Sequence, residues 1–170
     1  MTVTLAPEAA SAERLTQALR RACALGTGRV RDVSALSLIE KLRSHTFRLH
    51  LAYEGPAADS PASLILKMGH PGSGGRPAYR NRRELAFYRE IAPALPNRLV
   101  PACFEVTEAT ETSPWHLLLE DLTDTHEIAT EHPLPPDYPV CRSIVQRWGQ
   151  LHAALWNDPR LEHLSGPPAS

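Results

Sequence analysis

The stretch Ser63-Leu64-Ile65-Leu66-Lys67-Met68 decides how this chain is read. Aliphatic residues around a β-branched Ile65, entered from the turn-rich EGPAADSP, are the pattern of a buried strand. Lys67 breaks that pattern. An ammonium near the end of such a strand either snorkels to water or faces an anion. The next periodic segment, RNRRELAFYREIA at 80–92, places Glu84, Tyr88 and Ile91 at i, i+4 and i+7, on one helical stripe, and Pro93 ends or kinks the helix. Glu84 therefore heads the apolar stripe, where a carboxylate is costly unless a cation reaches it. Lys67 and Glu84 explain each other as a buried ion pair between a strand and the helix that follows it.

The rest of the chain is organised around that unit. SAERLTQALRRACALG reads as a helix with Ser11 as N-cap, Glu13 in the first turn, Leu15, Leu19 and Ala22 on one face, and Gly26 as a left-handed stop. Arg14 stands where a capping box would place Glu or Gln. Residues 30–38 and 46–53 read as extended; in the second, Phe47, Leu49, Leu51 and Tyr53 alternate with Thr46, Arg48 and His50, giving one core face and one wet face. Residues 40–44 read as a tight connection between them. Three strands in close succession imply an antiparallel meander. Two further extended runs, 103–110 and 115–120, flank the turn TETS. The Pro-rich HPLPPDYP then leads to VCRSIVQRWGQLHAALW, a helix whose Ile144, Trp148, Leu151 and Leu155 form an apolar stripe that needs a partner surface. His152 reads as a packed helix residue. The tail LSGPPAS reads as frayed.

Composition excludes several function classes. The chain has 170 residues, is 42% hydrophobic and carries a formal net charge of -1, so no global charge draws it to nucleic acid or an anionic membrane. Electrostatic function must be local. The start MTVTLAPEAASAERL lacks a signal-peptide pattern and no apolar run reaches membrane-spanning length, which implies a cytoplasmic protein. Cys23, Cys103 and Cys141 are odd in number and form no CxxC pair, so buried free thiols are expected rather than disulfides or zinc. The histidines show no metal-ligand spacing with supporting cysteines. Arg76, Arg80, Arg82 and Arg83 crowd a helix start, where cations oppose the macrodipole; a solvated basic face accounts for them. GHPGSGGRP has the Gly69 and Gly74 spacing of a Walker loop, but Gly75 and Arg76 stand where Lys and Ser or Thr are required, so it reads as a permissive connection.

A strand lysine held by a glutamate from the following helix is the device that grips ATP phosphates in protein-kinase-like enzymes. The order of SLILKM, NRRELAFYREI, WHLLLEDL and WGQLHAALW, over roughly residues 30–161, resembles the aminoglycoside phosphotransferase and choline kinase group of kinase-like small-molecule phosphotransferases. That resemblance implies an α+β fold: a kinase-like N-terminal lobe with an antiparallel sheet of about five strands and one packed helix, preceded by an N-terminal helix and followed by the start of a helical lobe. The divisions are 1–26, 27–122 and 123–170. It further implies ATP and Mg²⁺ as cofactors and a small-molecule hydroxyl, not identifiable from the sequence, as acceptor. Lys67 would orient phosphates, Glu84 would hold Lys67, and the backbone of Glu120 and Leu122, in a hinge formed by LLLEDL, would take the adenine edge. Apolar strand residues would sandwich the base.

Two departures from the family pattern stand out. The loop between the first two long strands, EKLRSHTF, has no glycine, which leaves Ser44 and Thr46 hydroxyls and amides to meet phosphate. No His-x-Asp-x-x-x-x-Asn loop occurs anywhere in the sequence, and Asp121 and Asp124, placed before the long helix, read as solvated or capping carboxylates rather than catalytic ones. The expectation is therefore a truncated or partial phosphotransferase, with an ATP-binding lobe but no catalytic residue, whose open helix stripe invites self-association or a missing catalytic-lobe chain. The rival expectation is a non-catalytic module that binds nucleotide or protein. Neither implies a nucleic-acid or membrane partner.

Overall fold

The computed structural model describes residues 3–4, 7–41, 44–70, 79–96, 99–126 and 136–161. Arg76 with most of GHPGSGGRP, the first half of HPLPPDYP, and LSGPPAS lie outside the described residues. One antiparallel sheet contains β1 (Val3–Thr4), β2 (Arg29–Lys41), β3 (Ser44–Glu54), β4 (Ser63–Met68), β5 (Cys103–Thr107) and β6 (His116–Glu120), in the spatial order β1-β2-β3-β4-β6-β5. The helices are α1 (Ala12–Arg21), α2 (Tyr79–Ala86) and α3 (Tyr138–Leu155). The fold is α+β, with the five expected strands and a two-residue edge strand, β1, that the sequence had not signalled. Strands β2 and β3 reach closer to one another than the sequence implied, so only residues 42–43, outside the described set, separate them.

Period-2 alternation along β4 sorts its side chains between two cores. Leu64, Leu66 and Met68 join Phe47 and Leu49 of β3 and Leu118 of β6 beneath Leu15, Ala18 and Leu19 of α1. Ile65 faces the other way, with Leu117, Leu119, Trp115 and Leu85 of α2. The two helices thus cover opposite faces of the sheet. Leu19, Leu49, Leu64, Leu66 and Leu117 are fully buried, and each contributes about 1.5–3 kcal/mol of transfer free energy.

Helix α1 is tied down at both ends by groups the sequence did not single out. Ser11 does occupy the N-cap, but its side chain makes no capping bond. Instead the Thr16 hydroxyl donates to the Ala12 carbonyl at 2.7 Å and accepts the Val30 N–H at 2.9 Å, joining helix to β2. At the far end Arg21 pairs with Glu105 of β5, and buried His116 of β6 places Nε2 3.0 Å from Glu105 Oε2. The hydrogen bond to His116 holds the Glu105 carboxyl below its usual range, aided by the Arg21 and Arg14 charges and opposed by burial.

The helix ends at Arg21, and Cys23, not Gly26, takes the left-handed conformation, with φ 56°. The Ala24 N–H reaches back to the Leu19 carbonyl at 2.8 Å, the 6→1 closure of a Schellman turn. All three cysteines are free as expected, but Cys23 is exposed and Cys103 and Cys141 are half-buried, so the expectation of buried thiols does not hold. The turn chemistry explains Cys23: a residue just past a helix end faces solvent.

Helix α2 passes into a π-helical turn, Phe87–Ile91, and then a 3-10 turn, Ala92–Ala94, containing the Pro93 expected to end it. Helix α3 begins at Asp137, whose carboxylate accepts the Val140 N–H at 2.9 Å. None of its residues is buried; Ile144 is 40% exposed, Trp148 66% and the following Trp156 78%, so the expected apolar stripe forms and lies open. His152, expected to be packed, is exposed, its ring stacked near Trp148. No helix among the described residues is long and apolar enough to cross a membrane.

A β-carbon in the left-handed region costs about 1–2 kcal/mol, of which the extra chain entropy of glycine returns about half. Cys23→Gly is expected to raise the stability of the domain by about 0.5–1 kcal/mol in urea denaturation; an unchanged or lower midpoint would contradict the strain assigned to this turn.

Candidate functional site

The sheet face that α2 covers carries the residues singled out in the sequence. In the β3–β4 register Thr46 lies opposite Lys67 and Arg48 opposite Ile65; in the β4–β6 register Lys67 lies opposite Leu117 and Ile65 opposite Leu119. Side chains directly opposite on antiparallel strands share a face, so Thr46, Lys67, Arg48 and Ile65 form two adjacent rows on one surface. Ser44, two residues before Thr46, shares that face but is buried.

Lys67 and Glu84 meet as the spacing implied. The ammonium Nζ lies 2.6 Å from both Oε1 and Oε2 of Glu84, a symmetric fork. The pair is less enclosed than expected, with 29% and 30% of the two side chains exposed. The position of α2 gives the reason. Leu85, 2% exposed, occupies the centre of its inward face and packs with Trp115, Leu117 and Leu119, which sets Glu84 on the flank of the stripe rather than at its head. From that flank the carboxylate reaches Lys67 and leaves the pair partly exposed. Four residues on, the Tyr88 phenol is pushed up to about 12, by burial first and by the neighbouring Glu84 and Cys103.

Gly69, one residue beyond β4, bears on this site for a packing reason. Its N–H donates to the Trp115 carbonyl at 3.0 Å, and a β-carbon there would come within 2.6 Å of Trp115 Nε1. Trp115 is 3% exposed and has no room to retreat without opening the α2 core. The first glycine of GHPGSGGRP is thus explained by close packing.

At the turn after β6, the Glu120 N–H donates to the Ala102 carbonyl at 2.8 Å, and the Leu122 carbonyl accepts the Thr125 and His126 N–H groups at 3.1 and 2.9 Å. The Glu120 carboxylate also accepts the Ala102 N–H at 3.1 Å. The segment is therefore a fixed turn rather than a loose linker.

Asp124, expected to be solvated or capping, is exposed as expected, whereas Asp121 is buried, and both pair with Arg48. Arg48 Nε lies 2.5 Å from Asp121 Oδ2, and its Nη2 pairs with Asp124. The Asp121 side chain is 1% exposed and that of Arg48 14%, so this part of the face read as wet is mostly withdrawn from solvent. Burial pushes the Asp121 carboxyl up, but hydrogen bonds from Ser63, from the Thr123 hydroxyl and N–H, and from Arg48 outweigh it and hold the group at about 2. Asp124 remains 75% exposed. The charge spacing in FRLHL and EDLTD gave no hint of this clamp, because the partners are 73 and 76 residues apart.

Chemically the site offers one accessible ammonium fixed by a carboxylate, a neighbouring hydroxyl at Thr46, an aliphatic floor and a rigid turn. That set can neutralise and orient an anionic group. Among the described residues no cluster of three or more His, Cys, Asp or Glu side chains is placed to hold a metal ion. No family model, curated protein or solved structure matches this chain, so the site is read from its own chemistry.

Because Asp121 is held below its unfolded value, its contribution is fully present above about pH 5 and is lost as pH falls toward 2; a shift of this size corresponds to on the order of 2–3 kcal/mol. Urea unfolding followed between pH 5 and pH 2.5 should show the wild type losing more stability than Asp121→Asn. Parallel losses would mean that the carboxylate is not held by the clamp.

Proposed function

We propose that this chain provides the nucleotide-binding lobe of a kinase-like small-molecule phosphotransferase. The observation that carries the reading is the forked Lys67–Glu84 pair on a sheet face that also presents Thr46. A lysine on the third long strand, fixed by a glutamate from the next helix, is the arrangement kinases use for the α- and β-phosphates of ATP. The pair is only partly enclosed, as a phosphate site has to be: a fully buried pair would already be satisfied and out of reach. In this reading Lys67 contacts phosphate, Glu84 holds the ammonium in place, and Thr46 and Ser44 lie on the phosphate side of the face.

A base edge would be met at the hinge by the Glu120 carbonyl and the Leu122 N–H, the groups of those residues not drawn into the bonds to Ala102, Thr125 and His126. An acceptor followed by a donor complements the amino group and ring nitrogen of adenine. The residues described fit ATP but offer no metal cluster, so no step is assigned to Mg²⁺. Since the sequence has no catalytic-loop motif, the reading assigns binding and orientation to these residues and leaves proton transfer to groups outside them. The open apolar stripe of α3 suits a second lobe packed against it or self-association. The rival role, a module that binds nucleotide without turnover, uses the same site and differs only in the absence of a catalytic partner.

Calorimetric titration with ATP tests the assignment. Wild-type protein should bind, and Lys67→Ala should weaken binding at least about tenfold, the scale expected for losing a charge-assisted phosphate contact. Equal binding by the two proteins would remove the site from this sheet face. The purified chain alone should show no ATP-dependent phosphorylation of hydroxyl acceptors; robust turnover would overturn the division of labour.

A further inference from the structure

We infer that Arg48, rather than an aliphatic residue, forms the surface on which the nucleotide base stacks; the inference rests on the nucleotide reading above. The register supplies the first step. Side chains on one face repeat every two residues, about 6.6 Å along a strand. The row holding Arg48 and Ile65 is therefore one repeat from the row holding Thr46 and Lys67. A ligand whose phosphates sit at Lys67 and whose ring edge reaches the Glu120–Leu122 turn has its ring over the Arg48 row.

The ion pairs supply the second step. Neighbouring strands are about 4.8 Å apart, and Asp121 follows β6, which is two strands from β3 in the sheet order. For Nε to lie 2.5 Å from the Asp121 carboxylate, the Arg48 side chain must run along the sheet across β4, not stand off it. It crosses near Ser63, whose small side chain leaves room and itself hydrogen-bonds Asp121. Two carboxylates hold Nε and Nη2, which fixes the guanidinium without covering its flat side by their own bonds. A planar cation held by two carboxylates, with 14% of its side chain still exposed, is a stacking partner for a nucleobase. The Asp121 and Asp124 carboxylates are the positioning groups for that plane.

The experiment compares ATP with inorganic tripolyphosphate, which has the phosphates and no base, by calorimetry on the full chain. Arg48→Met should weaken ATP binding about tenfold and leave tripolyphosphate affinity unchanged, whereas Lys67→Ala should weaken both. Arg48→Lys keeps the charge and can still pair with Asp121 but has no plane; it should lose about threefold or more for ATP and nothing for tripolyphosphate. If Arg48→Met does not fold, Arg48→Lys decides the matter. ATP affinity within twofold of wild type, or equal losses for both ligands, overturns the inference and leaves the Lys67 site standing. A wild type that binds no ATP overturns the nucleotide reading and this inference with it.

Discussion

A strand covered by helices on both faces cannot leave a charged side chain unpartnered, and β4 is that strand. Leu64, Leu66 and Met68 are committed to the α1 core, and the pleat sends Ile65 and Lys67 to the α2 core. Moving the register by one residue would drive Lys67 under α1 among leucines, at a cost of several kcal/mol. The ion pair with Glu84 thus fixes the register of the central strand, the placement of α2 and the location of an accessible ammonium together. It adds little net stability, because a half-exposed pair is screened and desolvation offsets its attraction. Its value is positional: it sets which face of the sheet can receive an anion.

The same sheet handles two other charge clusters differently. Glu105 is met from α1 by Arg21 and from the neighbouring strand by His116, on the face where the helix already excludes water. That cluster closes the edge of the α1 core, with Arg21 itself largely exposed at the helix end. Arg48, on the opposite face, is bound by two carboxylates. Of the three, the Lys67 pair sets a half-buried cation beside a single carboxylate, which makes it the candidate for binding an anionic ligand.

What could be read in the sequence follows the range of the forces involved. The strands, α1, α2 and α3 were legible because hydrophobic periodicity is local, and the Lys67–Glu84 pair was legible because strand and helix are consecutive. The pairing of Arg48 with Asp121 and Asp124 was not, because it joins the second long strand to the end of the last one, and alternation alone assigns Arg48 to a wet face. Glu84 was placed at the head of the apolar stripe by counting i, i+4, i+7, but Leu85 takes the inward position because burying its side chain stabilises more than burying a carboxylate. Cys23 in the left-handed turn was missed for a similar reason. Glycine is the usual occupant, yet the closure depends on where the helix runs out of apolar residues to bury, and that is at Leu19, seven residues before Gly26.

The clamp on the hinge also bears on how the site could respond to a ligand. Asp121 is held by Ser63 of β4, Thr123 of its own turn and Arg48 of β3, so the turn after β6 is bonded to two other strands at once. Glu120 is likewise bonded to Ala102 through both its N–H and its carboxylate. Under the proposed nucleotide reading, a base at this edge meets groups whose positions are already set, so little ordering entropy is lost there on binding. Lys67 differs: it has one partner, and that partner sits on the flank of a helix that changes to π-helical geometry three residues later. In that reading adjustment on binding falls at Lys67, where a small shift of α2 moves Glu84 and the ammonium together, while the bonded turn after β6 acts as the fixed reference.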